Sequence, residues 1–272
     1  MSNIIPSCIF HEPEEEYHSR SRSGEYLSSH MLSTFQRMPY KYYARISGFL
    51  QEPEKKEYIF GSAAHKLILE GEEAFNESYI VSDGPMNERT GKPYGKDSKV
   101  YLDWLSMQDG EVITGEDFAE IELMLNSILN HKEIQELLRP AGIAEGVVRA
   151  DLDGIPCQIR MDWFSPEVGI VDLKTCRDIE FFEYDMRAFG YAFQLAFYRS
   201  VLKAATGIEY PVHVIAVDKS QFHVAGYWHL PGAELDIAER INAAAMKRLK
   251  ECRSKNIWPT GYERKQIFTL NK

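Results

Sequence analysis

The strongest constraint on the fold is a run of three strand-like segments, IAEGVVRADLDGIPCQIRMDWFSPEVGIVDLKTC, which begins at Ile143. Asp153-Gly154 separates the first two segments, and an Asp-Gly pair between strand-like runs is typical of a tight β-hairpin turn. The stretch SPEVG supplies a second turn. The sequence therefore predicts an antiparallel meander with strands at about 143–151, 155–164 and 168–175.

Helical patterns surround this meander. Apolar residues at helical spacing predict short helices after Ser28 and at about 40–46, a helix in IFGSAAHKLILEG, and helices at about 98–108 and 115–139. A longer helix is expected at about 184–205, and the last is GAELDIAERINAAAMKRLKECRSK. PVHVIAVDK and FHVAGYWHL are expected to form two more strands. This order predicts an α+β (α/β/α) domain with a mixed central sheet and N-terminal helical additions.

Length and composition fit one domain at about 25–272, preceded by a flexible polar segment at 1–24 that we expect to be partly disordered or loosely docked. We expect no membrane span, since no apolar run reaches 18 residues, and no secretory signal, since the N-terminus lacks a basic start and a long apolar core. The four cysteines are scattered, which favours a reduced, cytoplasmic setting. The net charge of −10 argues against a surface covered with phosphate contacts, but it leaves room for a local basic groove.

A cluster of charged residues lies in the second and third predicted strands. Asp172 and Lys174 are two positions apart and so point to one face of the sheet. The short turn brings Asp162 opposite them. Two converging carboxylates repel unless a cation lies between them, and oxygen ligands suit Mg²⁺ or Mn²⁺. The alternative is a surface ion pair, but Ile170, Val171 and Leu173 indicate a strand buried on at least one side, which makes that alternative weaker.

Four further side chains are candidates for the same site. Glu145 is expected on the first strand, as either a ligand or an ordinary edge carboxylate. His65 lies among small residues in GSAAH and is either a ligand or a structural histidine. Gln194 and Tyr198 are four residues apart on one helix, so they share a face that borders either a polar site or the core.

A polar segment from Ser82 to Lys99 is rich in glycine, proline and cations. We expect a loop that either contacts phosphate or is simply solvated. The candidate DNA-binding residues are four in this loop and two near the first helices: Arg89, Lys92, Lys96, Lys99, Arg37 and Lys41.

These motifs in this order resemble the PD-(D/E)XK nuclease superfamily, with a restriction-endonuclease-like core. GSAAH, Glu145, Asp162, DLK and Gln194-x₃-Tyr198 are similar to the RecB-type branch. The stretch LSSHMLSTFQRMPYKYYARISG resembles the opening of the RecE-like (exonuclease VIII) group, which includes phage recombination exonucleases. The resemblance covers about residues 25–265.

The resemblance implies roles for individual residues. His65, Asp162, Asp172 and the Leu173 carbonyl would bind Mg²⁺, and Glu145 would support a second metal or its water shell. Lys174 would position the attacking water. Gln194 and Tyr198 would complete the catalytic site.

The resemblance also implies an activity and partners. Members of this group are ATP-independent exonucleases that degrade one strand of linear double-stranded DNA from its 5′ end and leave a 3′ overhang. They form ring-shaped homo-oligomers, trimers or tetramers, and act with a single-strand annealing recombinase. We expect no iron–sulfur cluster, because only Cys252 lies near the C-terminus, and no ATP use, because no Walker motif is present. A structure-specific endonuclease and a non-catalytic DNA-binding module are the alternatives.

Overall fold

The computed structural model describes residues 4–50 and 56–267 of the chain. The helices are α1 (Glu14–Arg22), α2 (Ser29–Arg37), α3 (Pro39–Ile46), α4 (Lys56–His65), α5 (Glu72–Ser78), α6 (Lys99–Leu105), α7 (Gly115–Asn130), α8 (Lys132–Leu138), α9 (Phe182–Phe189), α10 (Tyr191–Thr206) and α11 (Gly232–Lys255). The strands are β1 (Tyr79–Val81), β2 (Met86–Asn87), β3 (Lys92–Pro93), β4 (Glu111–Ile113), β5 (Ile143–Leu152), β6 (Ile155–Ser165), β7 (Gly169–Cys176), β8 (Val212–Asp218) and β9 (Ala225–His229).

A mixed five-stranded sheet in the order β5-β6-β7-β8-β9 forms the centre of the domain. β5, β6 and β7 are antiparallel neighbours, as the turn signals predict. β8 pairs parallel to β7 after the α9–α10 crossover, and β9 returns antiparallel beside β8. The predicted fold class, a mixed sheet between helical layers, is confirmed.

Each face of this sheet is covered by a separate apolar core. Alternate residues of β7 divide between the faces, because successive side chains of a strand point in opposite directions. Ile170 packs with α2, α10 and α11 in the larger core. Val171 and Leu173 pack with α7 and α8 in the second core. β7 is therefore buried on both sides, and any charge on it lies inside the protein.

Of the two alternatives for residues 1–24, the described part of the N-terminal segment is docked. Phe10 exchanges two backbone hydrogen bonds with Val147, at 3.1 and 2.8 Å, and so extends the edge of the sheet at β5. Ile9 and Tyr17 are buried. These apolar residues are spaced too irregularly to form a periodic pattern, yet they dock residues 9–22 onto the sheet.

Several predicted boundaries also differ from the structure. The helix expected at 115–139 is two helices, because His131 leaves helical geometry and its ring accepts the Ile134 N–H at 3.4 Å as a new N-cap. The helix expected at 184–205 begins earlier and divides at Gly190. The predicted loop at 82–99 contains the small β2–β3 hairpin. Within the described residues, no helix is long and apolar enough to span a membrane.

Candidate active site

The site forms where β6 and β7 separate. Their ladder ends at the pair Trp163–Val171, so the next pair along it would be Asp162 with Asp172. Beyond that level the ladder does not continue, and the backbone N–H of Leu173 donates to the side chain of Asp162, at Oδ2, over 2.8 Å. The opening between the strands thus places both carboxylates side by side, as the sequence predicts.

Asp172 is held by groups from β7 and α10. Its side chain faces the larger core and is only 1% exposed. Lys174 Nζ lies 2.5 Å from Asp172 Oδ2 and 4.0 Å from Asp162 Oδ2. Gln194 Nε2 donates to Asp172 Oδ1 at 3.5 Å and to the Tyr198 hydroxyl at 3.2 Å. The predicted Gln-x₃-Tyr pair therefore does face the predicted carboxylate.

Burial sets the ionisation of this group. Loss of solvation raises the pKa of Asp172 to about 7, and the Asp162 charge adds to this, although Lys174 opposes it. Burial alone would lower the pKa of Lys174, but Asp172 and Asp162 outweigh it and raise that pKa above its ordinary value. Burial also raises the pKa of Tyr198. At neutral pH Lys174 is therefore a cation, and Tyr198 keeps its proton and acts as a hydrogen-bonding group.

Glu145 enters the site through an unusual backbone conformation. It lies opposite Asp162 between the pairs Ala144–Trp163 and Gly146–Met161, yet its own φ is +54°. Only a few per cent of non-glycine residues adopt positive φ, and strained residues of this kind are concentrated at functional sites. The in–out alternation of side chains along β6 is also interrupted at this level. Met161 and Trp163 are two positions apart and would share a face of a regular strand, but Met161 packs in the larger core and Trp163 in the second. The positive φ of Glu145 and the irregularity of β6 therefore occur at the level of the two carboxylates.

His65, Glu145 and Asp162 form a group of donors suited to a metal ion. One donor atom from each lies within 4.8 Å of the others, and His65 Nδ1 is 3.7 Å from Asp162 Oδ2. Burial lowers the pKa of His65, so its ring is neutral at pH 7 and free to coordinate. A single π-helical turn, Lys66–Glu70, follows His65, and such turns are frequent at functional sites.

This donor set fits a hard divalent cation, because it offers two carboxylates and one imidazole. Asp172 Oδ2 supports the fit. That atom is buried, and among the described residues it makes only the ion-pair contact with Lys174, without a directed hydrogen bond. A buried carboxylate oxygen with spare acceptor capacity is available as a further ligand. The coordination role of the Leu173 carbonyl remains a prediction.

Sequence reasoning missed three residues around the site. Arg160 Nε lies 2.8 Å from Glu145 Oε2, and its Nη1 lies 3.3 Å from Glu14 Oε2. The ring of Tyr191 lies 5.3 Å from Lys174 Nζ, within range of a cation–π contact. Arg160 had a usable signal, because a charged residue two positions before Asp162 in an otherwise apolar strand needs a partner. Glu14 had none, since nothing in its local sequence indicates docking.

The predicted DNA-binding cations lie on two separate parts of the surface. Four surround the β2–β3 hairpin, and two lie on α2 and α3. All six are exposed: Arg89, Lys92, Lys96, Lys99, Arg37 and Lys41. Exposure is compatible with a role in binding DNA and equally with ordinary solvation, so their role stays a prediction.

This fold and this site together define a PD-(D/E)XK nuclease-like domain. Residues 28–270 match the family described as "PDDEXK-like domain of unknown function (DUF3799)", and the chain belongs to that family. The crystal structure of a proposed exonuclease from Eubacterium rectale has the same fold, with a TM-score of 0.67 and 17% identity over 96% of this chain and 97% of that one. No curated protein sequence matches the chain.

Proposed function

We propose that the protein is a nuclease that hydrolyses phosphodiester bonds of DNA with a divalent metal ion. More narrowly, we propose an ATP-independent, Mg²⁺-dependent exonuclease that degrades linear double-stranded DNA from 5′ to 3′ and leaves a 3′ single-stranded overhang. The polarity and the overhang rest on the resemblance of the sequence motifs to RecE-like nucleases.

One observation carries the proposal: Asp162, Asp172 and Lys174 converge at the point where β6 and β7 separate. Two carboxylates and a lysine in a buried site are costly to maintain, because each charge loses its hydration. A protein that needed only a stable sheet would place apolar residues here. The family match to a PDDEXK-like domain supports the same conclusion.

The residues present account for the parts of the reaction. His65, Glu145, Asp162 and Asp172 would hold Mg²⁺, and Mn²⁺ would substitute for it. The bound ion would neutralise phosphate charge and favour deprotonation of the attacking water. Lys174 Nζ would position that water and stabilise the negative charge that develops on the phosphate. Gln194 and Tyr198 fix the orientation of Asp172 through neutral hydrogen bonds.

The proposed partners go beyond the site. We propose that the exposed cations at 89–99, with Arg37 and Lys41, contact the DNA backbone. We also propose a ring-shaped homo-oligomer around the duplex and a single-strand annealing recombinase that receives the product, both by the resemblance of the motifs. Size-exclusion chromatography with light scattering measures the oligomeric state directly.

The mode of cutting is tested by incubating the protein with Mg²⁺ and two DNA substrates. One is a linear duplex with 5′ phosphates, and the other is a closed circle. We expect degradation of the linear duplex, intact circles and complete inhibition by EDTA. Cutting of circles would instead indicate a structure-specific endonuclease. Binding of DNA without cleavage of either substrate would indicate a non-catalytic module.

A further inference from the structure

Arg160 lies between the metal-binding group and the N-terminal helix. Its guanidinium contacts Glu145 at 2.8 Å on one side and Glu14, in the first turn of α1, at 3.3 Å on the other. The side chain of Arg160 is 17% exposed, whereas that of Glu14 is 55% exposed. Arg160 therefore joins a partly buried carboxylate of the site to a carboxylate at the surface.

The Glu145 carboxylate needs such a partner. Its positive φ places it in a sparsely populated backbone region, and such a conformation persists only when neighbouring contacts hold it. Arg160 pairs across the ladder with Val147, two positions along β5 from Glu145. It is thus a diagonal neighbour, within reach of Glu145 but outside the donor group itself.

Glu14 reaches Arg160 because the N-terminal segment is fastened at several points. Phe10 pairs with Val147 at the edge of the sheet. Gln158 Nε2 donates to the carbonyl oxygen of Tyr17 at 2.7 Å and to the Ser21 hydroxyl at 2.8 Å. The match to the PDDEXK-like family begins at residue 28, so α1 lies outside the matched span.

We propose that Arg160 is a positioning residue that aims the Glu145 carboxylate at the metal ion, and that Glu14 anchors Arg160 in this position. The N-terminal segment is then part of the active site. An arginine suits this task, because its planar and permanently charged guanidinium can form ion pairs with two carboxylates at once. The inference rests on the proposed function, since it assumes a metal ion at His65, Glu145 and Asp162.

The test is Mn²⁺ binding to the full-length chain without DNA, measured by isothermal titration calorimetry. Removal of a group that orients a metal ligand typically weakens metal affinity 10- to 100-fold. We expect Arg160→Gln to weaken Mn²⁺ binding by about tenfold and Glu14→Gln to weaken it by about threefold. The Mn²⁺ affinity of Arg160→Lys should lie between that of Arg160→Gln and that of the wild type.

Arg149→Gln is the matched control. Arg149 also joins the sheet to the N-terminal segment, through Glu12 at 2.5 Å, but it does not contact Glu145. Its Mn²⁺ affinity should stay within about twofold of the wild type. Thermal unfolding shows whether each variant is folded. If Arg160→Gln does not fold, Glu14→Gln still tests the inference, because Glu14 is exposed and its substitution should not prevent folding.

Positioning also predicts a separation of kinetic effects. In Arg160→Gln the Mg²⁺ concentration for half-maximal cleavage should rise, while the rate at saturating Mg²⁺ stays close to that of the wild type. Wild-type affinity in folded Arg160→Gln or Glu14→Gln would overturn the inference, as would an equal loss in Arg149→Gln. Asp162→Asn separates the two claims: if it abolishes Mn²⁺ binding while Arg160→Gln does not alter it, the metal site stands and the positioning role fails. If the wild type binds no Mn²⁺, both fail.

Discussion

At the scale of single residues, the site concentrates charge where the protein solvates it poorly. Burial raises the pKa of Glu145 to about 8, with the Asp162 charge adding to the effect and Arg160 opposing it. Asp172 has a pKa raised to about 7 for the same main reason. Each carboxylate is therefore easier to ionise in the unfolded chain than in the metal-free folded protein. The site lowers stability at high pH unless a cation is bound.

The pH dependence of stability tests this account of Glu145. Between pH 4.5 and about 8 the folded state keeps a proton that the unfolded state has released. The group therefore lowers the free energy of unfolding as pH rises, by up to about 1.4 kcal/mol per pH unit. Glu145→Gln should remove this slope in urea titrations with EDTA. Parallel curves for the two proteins would show that Glu145 is already ionised.

Lys174 is predicted to act on the reaction and not to hold the metal. Lys174→Gln should reduce the rate of cleavage by at least about 100-fold, because the variant cannot stabilise the charge of the transition state. Mn²⁺ affinity should be equal or tighter, since the variant removes a cation that lies 2.5 Å from Asp172. Calorimetry and single-turnover cleavage measure the two effects separately. Unchanged cleavage, or a large loss of affinity, would contradict this role.

At the scale of secondary-structure elements, local patterns predict the sheet and most of the helices. The β5–β6–β7 meander follows from alternation and an Asp-Gly turn, and α11 follows from helical periodicity. The parallel pairing of β1 with β4 could not be predicted in this way, since these three-residue strands show no sequence pattern that indicates pairing. The same limit applies to the site. The sequence indicates the DLK strand, but the contact between Glu14 and Arg160 depends on tertiary docking.

The start of β7 depends on one glycine. Gly169 has φ +99°, and a Cβ there would lie 2.2 Å from the backbone oxygen of Pro211. Gly207 has φ +75° with nothing within 4 Å of such a Cβ. Gly207→Ala should therefore lower the free energy of unfolding by about 1–2 kcal/mol, which is the cost of placing a Cβ at positive φ without a steric clash. Gly169→Ala should cost about 2 kcal/mol or more beyond that, because the backbone must move. If urea denaturation gave equal losses of unfolding free energy for the two variants, the close approach of Gly169 to Pro211 would not contribute to the cost of substitution.

At the scale of the whole molecule, the proposed function requires an acidic protein to bind a polyanion. The net charge of −10 means that contact with DNA depends on local cations and on the metal ion. The β2–β3 hairpin and its flanks present four exposed cations close together in sequence. This segment is therefore the part of the surface that we expect to track the phosphate backbone.

Salt dependence tests the role of the hairpin in binding DNA. Arg89→Ala together with Lys92→Ala should weaken binding to duplex DNA. It should also reduce the slope of log affinity against log salt concentration by about 0.9 for each phosphate that the protein no longer neutralises. Lys250→Ala is the control, since Lys250 pairs with Asp153 at the β5–β6 turn, far along the hairpin from the site. Fluorescence anisotropy in EDTA measures binding without cleavage. An unchanged slope would show that Arg89 and Lys92 do not contact phosphate and are simply solvated.

The most direct test of the central claim is cleavage of a linear, 5′-phosphorylated duplex by the wild type and by Asp162→Asn. Asp162 lies at the centre of the group, near His65, Lys174 and the Leu173 N–H. The account predicts Mg²⁺-dependent degradation by the wild type, and at least about 1,000-fold slower degradation by a folded Asp162→Asn protein that still binds DNA. Cleavage by Asp162→Asn at the wild-type rate, or cleavage by the wild type that persists in EDTA, would contradict the claim that this site is a metal-dependent nuclease centre.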